Sequence, residues 1–207
     1  MIALIDYGSG NIQAIKNIYK RLNIECDFVS EPGQLEKASK IILPGVGAFD
    51  ELMRQLTQSG LREKLDYLVL EKNIPVLGIC VGMQVMASCS EEGEVPGLGW
   101  LSANVKKFDV TLIENKPKIP HMGWNSIAPL IEHEIFKDVD REKGFYFLHS
   151  YYFECENNND IFALTTYGKE FASAVKKDNI FGFQFHPEKS HLNGVNLFKN
   201  FAKLNLC

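Results

Sequence analysis

The sequence predicts an α/β protein in three layers, a mostly parallel central sheet flanked by helices, with a β-rich second half. Three observations lead there. Short apolar runs of strand length alternate with 3.6-period stretches through the first ninety residues. Gly, Pro or Asn punctuates most of the boundaries. After about Glu91 the helical pattern gives way to short strand-like pieces. Parallel strands need crossover connections, so strand–helix–strand repetition implies a sheet covered on both faces.

The elements follow in order. Ile2–Asp6 is a buried-strand run, and Asn11–Leu22 carries apolar residues at 12, 15, 18, 19 and 22, a helical period. Cys26–Val29 reads as a second strand and Lys40–Leu43 as a third, stopped by Pro44-Gly45. Phe49–Leu56 and Leu61–Leu70 read as helices, Val76–Ile79 as a fourth strand, and Gly82–Ser88 as the opening of the next helix. Gly97–Trp100, Val105–Phe108 and Met122–Ile127 are β-like pieces. Phe145–Phe153, Phe162–Tyr167, Ala172–Val175 and Phe181–Phe185 read as strands of a mixed or antiparallel part, closed by a helix over Gly194–Leu204. No repeat or long linker divides the chain, so residues 1–207 are expected to form one domain.

Composition narrows the function classes. The 207 residues are 45% hydrophobic and 23% charged, values of an ordinary globular domain, which excludes disorder and a collagen-like repeat. The net charge of −4 argues against a uniform electrostatic hold on nucleic acid. No apolar stretch approaches the ~18 residues of a membrane span. The start, Met-Ile-Ala-Leu-Ile-Asp, has no basic n-region, so a cytoplasmic protein without secretory signal is expected. Five scattered cysteines (26, 80, 89, 155 and 207) with no C-x-x-C pair indicate neither a disulfide framework nor a zinc site. No metal and no cofactor is expected.

In an open parallel sheet, function collects at the carboxyl ends of the strands. The places to look are Tyr7–Asn11, Pro44–Ala48, Cys80–Gln84 and His186–Ser190. Gly78-Ile79-Cys80-Val81-Gly82 ends the fourth strand. Glycines on either side of a nucleophile permit a sharp strand-to-helix turn, and a helix N-terminus beside a thiol favours its thiolate. By itself such a cysteine is more often core filling. The alternation at 181, 183 and 185 makes the run to Phe185 a strand with His186 at its exit, and residues i and i+2 of an extended chain share a face. Glu188 can therefore orient His186, as the acid of a nucleophilic triad does. Pro44-Gly45-Val46-Gly47 can turn the amide of Val46 or Gly47 toward a developing oxyanion, with the amide of Val81 as second donor. Gly8-Ser9-Gly10 resembles the start of a dinucleotide fingerprint, but Gln13 occupies the third glycine position.

Pro-Gly-Val-Gly (44–47), Gly-Ile-Cys-Val-Gly-Met-Gln (78–84) and Phe-His-Pro-Glu-Lys-Ser (185–190) resemble the triad-type class I glutamine amidotransferases, whose sheet has flavodoxin-like winding. Asp-Tyr-Gly-Ser-Gly-Asn (6–11), Pro-His-Met-Gly-Trp-Asn (120–125) and Phe-Leu-His-Ser-Tyr (147–151) are similar to the glutaminase-subunit branch serving imidazole glycerol phosphate synthases. The resemblance implies that Cys80, His186 and Glu188 hydrolyse glutamine to glutamate and ammonia through a thioester. It also implies that Gly45, Gln84, Glu92, Ser150 and Tyr151 bind glutamine. Ammonia loses its nucleophilicity once protonated in water, so the branch delivers it to a separate (β/α)8-barrel cyclase as a heterodimer. By the same resemblance His121, Met122, Trp124, Asn125 and Lys189 face that partner or gate the ammonia. Val81 stands where leucine is usual in the nucleophile motif, and only its backbone is used. Gly97–Trp100 and His186–Gly194 also resemble paralogues that feed ammonia to surface-sugar amidation. Vitamin B6 glutaminases, a regulatory module with a vestigial site and a dinucleotide-binding module are the remaining alternatives.

Overall fold

The computed structural model describes residues 1–8, 10–114 and 118–204. Strands β1 (Ile2–Ile5), β2 (Cys26–Val29), β3 (Lys40–Gly45) and β4 (Val76–Cys80) lie in the order β2–β1–β3–β4, all parallel. The strands β5 (Cys89–Ser90), β6 (Ala103–Lys107), β7 (His121–Asn125) and β8 (Ala128–Pro129) follow in sequence. Next come β9 (Phe145–His149), β10 (Tyr151–Cys155), β11 (Ile161–Tyr167), β12 (Lys169–Lys177) and β13 (Ile180–Phe183). β13 adds parallel to β4, and the sheet then continues through antiparallel β12, β10 and β6 to β5, with β11 bridging β12 to β8. The sheet is thus mixed, and its unbroken parallel part is the half that carries the functional loops. Among the described residues β7 and β9 pair only with each other, as a separate antiparallel ribbon.

Every residue of β1 and β4 is buried, as expected for parallel strands covered on both faces. Helix α1 (Ile12–Arg21) buries Ile15 and Tyr19, and the Tyr19 ring meets Phe198 of α5 (His191–Lys203) edge-on at 5.5 Å. Helices α2 (Phe49–Gln58) and α3 (Leu61–Asp66) run between β3 and β4. The winding reverses between β1→β2 and β3→β4. Right-handed crossovers therefore put α1 and the α2–α3 pair on opposite faces. Each Leu, Ile or Phe that these helices bury contributes roughly 1.5–3 kcal/mol.

Four expectations are corrected. β3 does not stop at Leu43 but runs through Pro44-Gly45, because β1 pairs with it only as far as Ile42 and the missing proline N–H falls where that neighbour has left. The helix expected over 82–88 is the single turn α4 (Val81–Gln84). Its continuation is pre-empted, since the carbonyls of Val85, Met86 and Ala87 accept from the amides of Leu98, Leu101 and Gly99. Gly97–Trp100 is consequently that packing loop and not a strand. Finally, Phe145–Phe153 is two strands in different sheets, parted at Ser150.

The glycines around α4 are spacers. A Cβ on Gly82 would overlap the Leu43 carbonyl, one on Gly45 would meet the Gly82 amide, and one on Gly78 would lie 2.6 Å from the Gly82 carbonyl oxygen. These are backbone atoms that cannot swing aside. Gly82→Ala is expected to lower unfolding stability in urea by about 1–3 kcal/mol. Gly33→Ala, where an added Cβ meets nothing within 4 Å, is expected to change it by less than about 0.5 kcal/mol.

Candidate active site

Cys80 ends β4 at φ 54°, ψ −113°, a backbone conformation that L residues rarely hold. None of the glycines flanking it has a positive φ. The sharp turn expected from the glycines is therefore made by the cysteine itself, while the glycines let β3, β4 and α4 touch. With only one helical turn beyond it, the thiol does not face a full helix dipole. Its sulfur is packed rather than bare (the residue is 3% exposed), lying 3.8 Å from the Leu148 carbonyl oxygen and 3.8 Å from Gln184 Nε2.

β13 lies beside β4 with Phe183 opposite Ile79, so the residues just beyond it flank Cys80. His186, whose amide donates to the Tyr146 carbonyl, lies close enough to Cys80 for the two side chains to influence each other's charge. From its other edge Nδ1 donates to Glu188 Oε1 at 2.9 Å, and both side chains are almost fully buried. Burial of the ring works against its charge. The hydrogen bonds to Cys80 and Glu188, with the charges of those two groups, outweigh it and raise the His186 pKa to about 10. The structure thus brings together the three residues of the expected triad, with a buried imidazole poised to keep its proton.

The sulfur opens on a cleft of about 280 Å3 lined by Val46, Gly47, Cys80, Val81, Gln84, Glu92, Leu148, Ser150 and Tyr151 among others. Gly47 holds φ +90°, and Gly45 lies opposite Cys80 in the β3–β4 register. Glu92 is fixed by the Phe49 amide, which donates to Oε2 at 2.9 Å, while Asp50 takes the next two free amides, of Glu94 and Val95. Burial and the nearby Glu92 and Glu91 charges push the Tyr151 phenol pKa up. The middle residue of the Gly8-Ser9-Gly10 turn lies outside the described residues, as does Cys207.

The residues read as partner-facing divide by the pleat of β7. Met122 and Trp124 are exposed (57% and 41%), next to the exposed Leu148 on β9. Lys189 is exposed and Asn125 half-buried. His121, read as facing the partner or gating the ammonia, is 3% exposed and points inward, onto His149, so its side chain is not part of the outer surface of this chain. The sequence reading missed Gln184, which touches both Cys80 and Gln84. The strand expected to reach Phe185 ends at Phe183, and Gln184 and His186 lie in the bend beyond it; the available signal was a polar Gln between Phe183 and Phe185, next to the candidate His186. In the Tyr7–Asn11 segment, singled out by its place at a strand end but given no role, Tyr7 has a buried hydroxyl without a partner and a pKa raised by burial and by the charge of Cys80.

The model of the family "Glutamine amidotransferase class-I" matches residues 3–204. The chain is 49% identical over 204 residues to the imidazole glycerol phosphate synthase subunit HisH of Leptospira interrogans, covering 99% of this chain and 100% of the relative. It is 49% identical over 205 residues to the HisH subunit of Bdellovibrio bacteriovorus, with the same coverages. A solved glutamine amidotransferase superposes with a TM-score of 0.72 at 19% identity, over 99% of this chain and 100% of that one. The structure of PurLQS from Thermotoga maritima gives 0.70 at 17%, over 97% and 96%. At these identities the superpositions establish the fold.

Two outcomes follow from the geometry. Cys80→Gly should unfold at a higher temperature than Cys80→Ala, by the equivalent of about 1 kcal/mol, because both lose the thiol and only glycine relaxes the strained φ. Equal midpoints would show that the turn holds no strain. A histidine raised from 6.5 to about 10 stabilises the fold fully below pH 6.5, and that contribution is lost as pH climbs through about 10. Urea unfolding should therefore show wild type losing stability between pH 6.5 and 10, and Glu188→Gln losing less over the same window.

Proposed function

The chain belongs to the class-I glutamine amidotransferase family, and we propose that it is the glutaminase subunit of an imidazole glycerol phosphate synthase, working in histidine biosynthesis as one glutamine amidotransferase unit. It hydrolyses glutamine. The observation that carries the mechanism is the juxtaposition of Cys80 with a buried His186 that is hydrogen-bonded to Glu188, at the floor of a cleft of amino-acid size.

The steps follow from that geometry. His186 takes the thiol proton, and the resulting pair is stabilised by Glu188, which also fixes the ring's tautomer. The Cys80 sulfur attacks the side-chain carbonyl carbon of glutamine. The oxyanion is received by the amide of Val81 and by that of Val46 or Gly47. His186 returns its proton to the amide nitrogen, the C–N bond breaks, and ammonia leaves a glutamyl thioester. A water activated by the same imidazole cleaves the thioester to glutamate. Gly45, Gln84, Glu92, Ser150 and Tyr151 hold the amino-acid end of glutamine, with Glu92 the carboxylate that meets its ammonium.

Free ammonia would be protonated in neutral water, so the chemistry calls for a covered route into a second active site. The outward residues of the ribbon, Met122 and Trp124, with Asn125 and Lys189, are the docking face for a (β/α)8-barrel cyclase in a heterodimer. Among the described residues no helix is long and apolar enough to cross a membrane, and a cytoplasmic enzyme that needs neither membrane nor nucleic acid fits this chemistry. Glutamate release from glutamine, measured with and without a cyclase and its nucleotide, tests the reading. Cys80→Ala should lower it at least about a thousandfold, with glutamine still bound. Activation by a barrel that amidates a sugar, and not by the cyclase, would reassign the acceptor.

A further inference from the structure

Beneath the docking face runs a chain of hydrogen bonds whose direction is fixed at both ends. His121 and His149 are directly opposite across the β7–β9 ribbon, so both side chains leave its inner face. At one end the Asn125 amide cannot flip, because its nitrogen donates to the Thr166 carbonyl at 2.9 Å while its oxygen accepts from the Ser126 amide at 2.9 Å. That nitrogen therefore also donates to His121 Nε2, at 3.2 Å, and His121 carries its own proton on Nδ1. Nδ1 in turn donates to His149 Nε2 at 2.9 Å. At the other end His149 Nδ1 lies 2.7 Å from the Tyr151 carbonyl, which can only accept. The two ends demand the same order of protons, and only a pair of neutral rings satisfies both.

The chain continues to the nucleophile. The Tyr151 carbonyl also accepts from Gln84 Nε2 at 3.1 Å, which donates as well to Gln184 Oε1 at 3.0 Å, and Gln184 Nε2 donates to the Cys80 sulfur. His121, His149, Gln84 and Gln184 are all buried. The His121 ring is clamped by stacking on Phe147 and Tyr167, with centroids at 4.7 and 4.1 Å. Burial holds the His121 pKa down to about 4, and burial together with the His121 and His186 charges holds that of His149 down to about 3, so neither ring charges at neutral pH.

We propose that His121 and His149 are positioning residues: a proton-ordered pair that ties the partner-facing strand β7 to the Ser150–Tyr151 wall of the glutamine cleft and, through Gln84 and Gln184, to the Cys80 sulfur. The part concerning glutamine rests on the glutaminase reading. The order of protons does not.

Nitrogen-15 NMR of the full chain labelled in histidine, at neutral pH, is expected to show His121 and His149 both neutral with the proton on Nδ1. Asn125→Asp, which replaces the donor by an acceptor, is expected to move the His121 proton to Nε2. In glutamate-release assays with a cyclase partner, His121→Phe keeps the ring stack and loses both nitrogens. It should raise the KM for glutamine about tenfold, the effect of one hydrogen bond, and change kcat by less than about threefold. His121→Asn, whose amide donates from near the position of Nδ1, should recover most of that KM. A proton on Nε2 of either ring in wild type, a His121→Phe KM within about twofold of wild type, or an Asn variant no better than Phe would each overturn the proposal. Wild type that releases no glutamate would sink the glutaminase reading, while the NMR result would still decide the pair.

Discussion

One backbone conformation governs this molecule. Cys80 turns the chain out of the sheet with φ 54°, and nothing in its own chemistry favours that. The turn survives because Gly45, Gly78 and Gly82 let β3, β4 and α4 meet main chain to main chain, leaving no room for a relaxed alternative. Local strain of this kind persists where the surroundings over-determine it. Here they do so from three directions, and the result is a sulfur placed where an imidazole, the glycine-bearing loop after β3 and a cleft of amino-acid size converge.

The charge arrangement follows from that placement. A buried imidazole ordinarily prefers neutrality. His186 is pushed toward its protonated form by Glu188 and Cys80, against its burial, whereas His149, equally buried and not far away, is held neutral by burial even though the Tyr151 carbonyl favours its charge. Buried rings a short way apart are thus pushed in opposite directions, His186 up and His121 and His149 down, because only His186 has an acidic neighbour on either side.

Much of this was legible in the sequence. The parallel strands announced themselves as apolar runs, and their ends singled out Cys80, His186 and Glu188, which the structure brings together, because strand ends are properties of local geometry. What stayed hidden depended on distant partners. Phe145–Phe153 alternates without interruption, so periodicity could not reveal that the chain changes sheets at Ser150. The stretch after Gln84 has a helical composition, and only the amides of Leu98, Gly99 and Leu101, arriving from a later loop, end the helix. His121 reads as a partner-facing residue until strand register shows which way β7 faces.

The separateness of the β7–β9 ribbon has a consequence for how such proteins diversify. Of its outward residues Met122 is exposed and Trp124 rests on His191 at the start of α5, while its inward ones are locked into the buried network. Alternate positions along a single short strand are therefore under unrelated selective pressures. On the proposed roles, one set can be rewritten to recognise a different acceptor enzyme while the other set keeps the hydrolytic machinery in tune, so a lineage could acquire new clients without reinventing its chemistry.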